Sequence, residues 1–140
     1  MASRADFRDA AGEHLRTGIG LHDHGRYISA HYLFGLAVEC ILQAHGGVKD
    51  QRHNIQRQYT SATYESIIPD GERGPIALAL NEIESRWRSR ERYESPRSLP
   101  KKLNDRGASY NKKGDKLKQN SAAMKNASYV IVDLGVRTWS

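Results

Sequence analysis

From Arg26 to His45 the chain reads RYISAHYLFGLAVECILQAH, a long helix that is apolar on nearly every side. Leu33, Phe34, Leu36, Ala37, Val38, Ile41 and Leu42 leave almost no face for water. A helix of that kind belongs at the centre of a bundle, and it is too apolar for a small domain to cover easily, so a two-fold symmetric homodimer is expected. Gly46-Gly47 follows and supplies the left-handed conformation that ends helices. One carboxylate, Glu39, is embedded in the run. A buried charge is costly unless it is paired, so Glu39 needs a polar partner from another element.

Working outward, four further helices are expected. The first runs from Arg4 to Asp23, with Ser3 as N-cap and Phe7, Ala11, His14, Gly18 and Leu21 on one face. His24-Gly25 breaks it, so it should form an antiparallel hairpin with the central helix. The third carries Ile55, Tyr59, Ala62 and Ser66 on one face and closes at Ile67-Ile68-Pro69. DGERGP reads as a turn with Pro75 at the first position of the fourth helix. That helix is expected to reach Arg92, with Ile76, Leu80, Ile83, Trp87 and Arg90 on one face. Glu94 to Lys113 shows no period and reads as a long basic loop. The fifth helix runs from Lys116 to Val136, with Leu117, Met124, Ala127, Ile131 and Leu134 sharing a face. The fold class is therefore all-α: an antiparallel bundle of five helices in a single domain spanning residues 1–140.

Charge is unevenly placed. The net charge is +6. Arg97, Lys101, Lys102, Arg106, Lys112, Lys113, Lys116 and Lys118 are opposed locally only by Asp105 and Asp115, so the whole excess lies in this segment. Such a run is either a solvated face or a surface for phosphates. Lys101, Lys102, Lys112, Lys113, Lys116 and Lys118 are the candidate nucleic-acid contacts, with Tyr110 as a possible stacking group.

Other chemistries find little support. There is one cysteine, Cys40, inside the apolar helix, so no intramolecular disulfide can form. No Gly-rich phosphate loop, nucleophile elbow or Cys/His metal set is present, and no cofactor is implied. His22 and His24 are two residues apart, and a helix does not place such a pair on one face. No signal peptide or apolar run of membrane-spanning length is seen, so a cytoplasmic protein away from membranes is expected. An Arg on the apolar face of the fourth helix and a carboxylate on the central helix are natural partners. Glu39 is therefore expected to meet Arg90 or Arg92 in a buried polar cluster, with His53 or Tyr93 nearby as a further hydrogen-bond partner.

Two opening helices with AHYLFGLAVECILQAHGG, then RHNIQRQY, then a fourth helix ending in WRSRERY, resemble the HEPN domain (higher eukaryotes and prokaryotes nucleotide-binding). Ala30, Leu33, Gly35, Ala37, Glu39, Leu42 and Ala44 are similar to the pattern of its second helix. His53 and the set Trp87, Arg92 and Tyr93 are similar to later positions. The resemblance implies a helical bundle, often a homodimer, that binds RNA or nucleotide. The family also includes RNase toxins of toxin–antitoxin or phage-defence systems and partners of nucleotidyltransferases, so an antitoxin or a nucleotidyltransferase partner is implied as an alternative. Catalytic members carry Arg and His four to six residues apart near the fourth helix. This chain has no His after His53. Arg8–His14, Arg16–His22 and Arg26–His31 match the spacing but fall in the first two helices, and so short a pattern arises readily by chance. The resemblance therefore points to binding without the usual catalytic pair.

Overall fold

A computed structural model describes residues 3–47, 55–61, 64–88, 95, 97–105 and 115–139. The described elements are α1 (Arg4–Asp23), α2 (Tyr27–Ala44), α3 (Ile55–Ser61), α4 (Tyr64–Ile67), a 3-10 turn (Asp70–Glu72), α5 (Arg73–Arg86), α6 (Ser98–Asp105) and α7 (Lys116–Arg137). No strand occurs among the described residues. No helix among them is long and apolar enough to cross a membrane.

The ends of α1 and α2 follow local chemistry. Ser3 and Asp6 form a reciprocal capping box, in which the Ser3 N–H donates to the Asp6 carboxylate at 2.9 Å and the Asp6 N–H donates to the Ser3 hydroxyl at 3.1 Å. Those bonds hold the Asp6 carboxyl below its usual range, the backbone donor being the larger cause. Gly25 and Gly46, with φ of 76° and 84°, make the turns that close α1 and α2.

Helices α2 and α7 run parallel through the middle, tied by His31 to Asn120 near one end and by His45 to Gly135 near the other. α1 lies antiparallel against both, and α5 lies antiparallel against α7. Every residue of α2 from Ala30 onward is buried or half-buried. Two close approaches explain how the chain covers so apolar a helix. A Cβ on Gly18 would meet the Phe34 ring at 2.7 Å, so α1 lies directly on α2 at that glycine. A Cβ on Gly35 would fall inside the Trp87 indole, so the ring lies flat against the bare backbone. The Trp87 indole N–H then donates to the Tyr32 carbonyl at 3.2 Å. Full burial of a side chain such as Phe34 contributes about 1.5–3 kcal/mol.

Four expectations need correction. The fourth helix does not reach Arg92: α5 ends at Arg86 and Trp87 is extended, with φ −114° and ψ 137°. Pro75 is the third residue of α5 rather than its first, still within the turn whose N–H groups lack intrahelical acceptors. The region read as a loop from Glu94 to Lys113 contains α6, whose Leu99 and Leu103 are fully buried against Ile28 and Leu117. Its start is signed by a Ser95–Ser98 capping exchange, in which each backbone N–H donates to the other's hydroxyl, at 2.8 and 3.1 Å. Finally, α2 is covered by its own chain. Among the described residues, the exposed large apolar side chains are Ile67, Leu78, Tyr129, Val130 and Val136, none of them on α2. The apolarity of α2, from which a homodimer was expected, therefore gives no reason for one.

Candidate nucleic-acid interface and buried polar clusters

Of the expected buried cluster, Glu39 is described and is only 4% exposed. The Gln58 side-chain N–H donates to its carboxylate at 2.9 Å, and Gln58 itself is fully buried on α3. His53, Arg90, Arg92 and Tyr93 lie outside the described residues. Half-buried Cys40 stands beside Glu39. Burial first, and the carboxylate second, push its thiol pKa up to about 11, so it is a thiol at neutral pH.

The inward arginine of α5 is Arg86, 3% exposed, and its carboxylate is Glu82 one turn earlier, at 2.6 Å. Arg86 also donates to the Asn120 side-chain oxygen at 3.1 Å, and the Asn120 amide nitrogen lies 2.8 Å from His31 Nδ1. Four side chains thus link α5, α7 and α2 in series. Arg88 serves the helix end: its guanidinium donates to the carbonyls of Glu84 and Trp87 at 2.7 and 2.6 Å.

Gln58, Arg86, Asn120 and His31 were not singled out from the sequence as a set. Their signal was present in the spacing. Gln58 follows Ile55 by three, Arg86 follows Ile83 by three, and Asn120 stands between Leu117 and Met124 on the apolar face of α7. Polar residues interrupting an apolar stripe were the mark of the network.

The described part of the basic segment lies on α6 and at the start of α7. α6 is seated by Leu99 and Leu103 on Ile28 of α2 and Leu117 of α7. That places exposed Lys101 and Lys102 on α6 beside half-buried Lys116 and exposed Lys118 at the start of α7. Lys112 and Lys113 lie outside the described residues. The Asp115 carboxylate caps α7 through the Lys118 N–H at 3.1 Å. A cleft of about 270 Å³ opens here, lined by Gly25, Arg26, Tyr27, Ile28, Ser29 and Leu117. Tyr27, Ile28 and Ser29 form the first turn of α2, and Arg26 at the N-cap makes no side-chain capping bond. His22, at the end of α1, meets the Ser121 hydroxyl at 2.8 Å and the Tyr27 ring edge-on at 5.4 Å. Its pKa is lowered, chiefly by burial and then by Lys125 and Lys118, with Asp23 opposing.

His22 and His24 face different partners. His22 turns to Ser121, whereas His24 Nδ1 meets the Gly20 carbonyl at 2.8 Å. No group of three or more metal-ligating side chains occurs among the described residues.

No family model, curated protein or solved structure matches this chain.

Proposed function

We propose that the basic end of the bundle is a phosphate-binding surface for single-stranded RNA or a nucleotide, and that the protein acts by binding. The observation that carries this reading is that Leu117, flanked by Lys116 and Lys118, both lines the cleft at the start of α2 and packs with Leu99 and Leu103 of α6, the helix that carries exposed Lys101 and Lys102. Lysines that neutralise phosphates release counterions, which drives association and makes it salt-dependent. Tyr27 at the cleft offers a ring for base stacking. The uncapped first turn of α2 adds backbone donors of the polarity an anion needs. The resemblance to the HEPN domain supports the same ligand class. It is also the whole basis for a homodimer, or for a nucleotidyltransferase or antitoxin partner.

The alternative, an RNase using Arg and His in unusual places, draws no support from the Arg26–His31 pair, in which His31 is fully buried against Asn120. Arg86 and His31 are buried and bridged by Asn120, out of reach of a substrate phosphate. The test is fluorescence anisotropy of a labelled oligouridylate against salt concentration. Log affinity should fall with log salt, by roughly 0.7 per phosphate contact. No binding at low salt, or a slope unchanged by Lys101→Ala with Lys102→Ala, would reduce the lysines to a solvated face.

A further inference from the structure

We propose that Arg86, Asn120 and His31 form a one-way hydrogen-bond relay that holds His31 as the Nε2–H tautomer and positions the start of α7 against the start of α2. The inference rests in part on the reading above, because those two helix starts line the proposed ligand cleft.

The direction of the relay follows from what each group can do. A guanidinium only donates. The Asn120 atom 3.1 Å from Arg86 must therefore be the amide oxygen. The other end of that amide is then its NH2, 2.8 Å from His31 Nδ1. An NH2 facing a ring nitrogen at that distance donates, so Nδ1 carries the lone pair and the ring proton sits on Nε2. Arg86, Asn120 and His31 are 3%, 1% and 0% exposed, so water is not there to relieve a reversed arrangement.

The location gives the relay its role. Ile28 and Leu117 pack together around α6, and His31 and Asn120 lie three residues further along each helix. The apolar contact and the polar one are successive rungs of the same parallel helix pair. Apolar rungs tolerate sliding, whereas a buried polar rung with fixed donors and acceptors specifies register. Glu82, on the solvent side of Arg86, anchors the far end through its 2.6 Å ion pair. His31 and Asn120 are positioning residues here, since neither reaches the cleft.

The test is a long-range proton–nitrogen spectrum of the histidine rings in the full chain at neutral pH. His31 should show a bare Nδ1 and a protonated Nε2; a protonated Nδ1 would overturn the relay. Asn120→Asp offers only acceptors at that position, so the His31 ring should switch to an Nδ1–H donor. His31→Gln keeps an acceptor and should leave the amide resonances of Ile28 and Leu117 near their wild-type positions. His31→Leu should displace them, and unchanged resonances in that variant would overturn the positioning role. The His31 pair carries the test if Asn120→Asp fails to fold. Oligouridylate titration separates the two readings. The expected ring signature and displaced resonances without any RNA binding would leave the relay standing and remove the nucleic-acid reading.

Discussion

The middle of α2 and its first turn belong to one helix but are built on opposite terms. From Phe34 to Leu42 the helix is enclosed by Trp87, α1 and α7, and its one carboxylate meets Gln58 in the interior. From Arg26 to Ser29 it opens onto a cleft shared with Leu117, which stands between Lys116 and Lys118, with little apolar packing beyond Ile28 and the small α6 cluster. The first region concentrates stability, and the second concentrates positive potential. Substitutions in the middle should therefore change unfolding free energy without touching salt-dependent binding, and substitutions at the start should do the reverse.

The sharpest way to break that division is Trp87→Ala. Removing a fully buried indole that fills the space over Gly35 should cost about 3–5 kcal/mol, read from urea denaturation. A loss near zero would mean that the middle of α2 is not the stability centre. Gly35→Ala approaches the same contact from the other side. Its methyl group enters the Trp87 ring position, and overpacking of this kind should cost about 1–3 kcal/mol. Gln58→Leu removes a donor from the buried Glu39 carboxylate and should cost about 1–3 kcal/mol, whereas Glu39→Gln should cost less because no charge then needs solvation. Equal losses in the two variants would argue against a charge at that site.

The pH dependence tests the basic end. The folded-state pKa of His22 is lowered below its ordinary 6.5, so the unfolded chain binds its proton more readily. Its contribution to stability is therefore present above pH 6.5 and is lost as pH falls below that value toward the depressed folded pKa. His22→Gln should flatten this part of the stability profile. High salt should shrink the effect by screening Lys118 and Lys125, which are its second and lesser cause after burial. A wild-type profile that is flat from neutral pH into the acid range would contradict the lowered pKa of His22. The smallest effect on stability belongs to Lys101→Ala with Lys102→Ala. These exposed side chains should leave the urea midpoint unchanged while lowering the salt slope of RNA binding by roughly 0.7 per lost phosphate contact.

The hydrophobic periods and caps of α1, α2 and α7 were legible because they are local. Ser3 with Asp6, the Gly25 and Gly46 turns and the apolar face from Met124 to Leu134 each depend on neighbours within a few residues. Even YVIVDLGV, rich in β-branched residues, follows the helical period that precedes it. The α6 helix was legible in principle from Ser95 and Ser98 and the four-residue spacing of Leu99 and Leu103, but the lysines and prolines around them obscured it.

The sequence alone determined an all-helical chain, its central apolar helix, the need to partner Glu39 and the position of the whole charge excess. Only the tertiary structure decided where the α5 helix stops, because its end at Arg86 is followed by Trp87, whose ring packs on the bare backbone of Gly35 more than fifty residues earlier in the chain, a contact no local pattern contains. It also decided that Arg86 of α5 is buried, between Glu82 of its own helix and Asn120 of α7. The relay from Arg86 through Asn120 to His31 is non-local in the same way. Hydrogen-bond direction depends on which donors and acceptors meet across three helices, and that is a property of their packing rather than of any one segment.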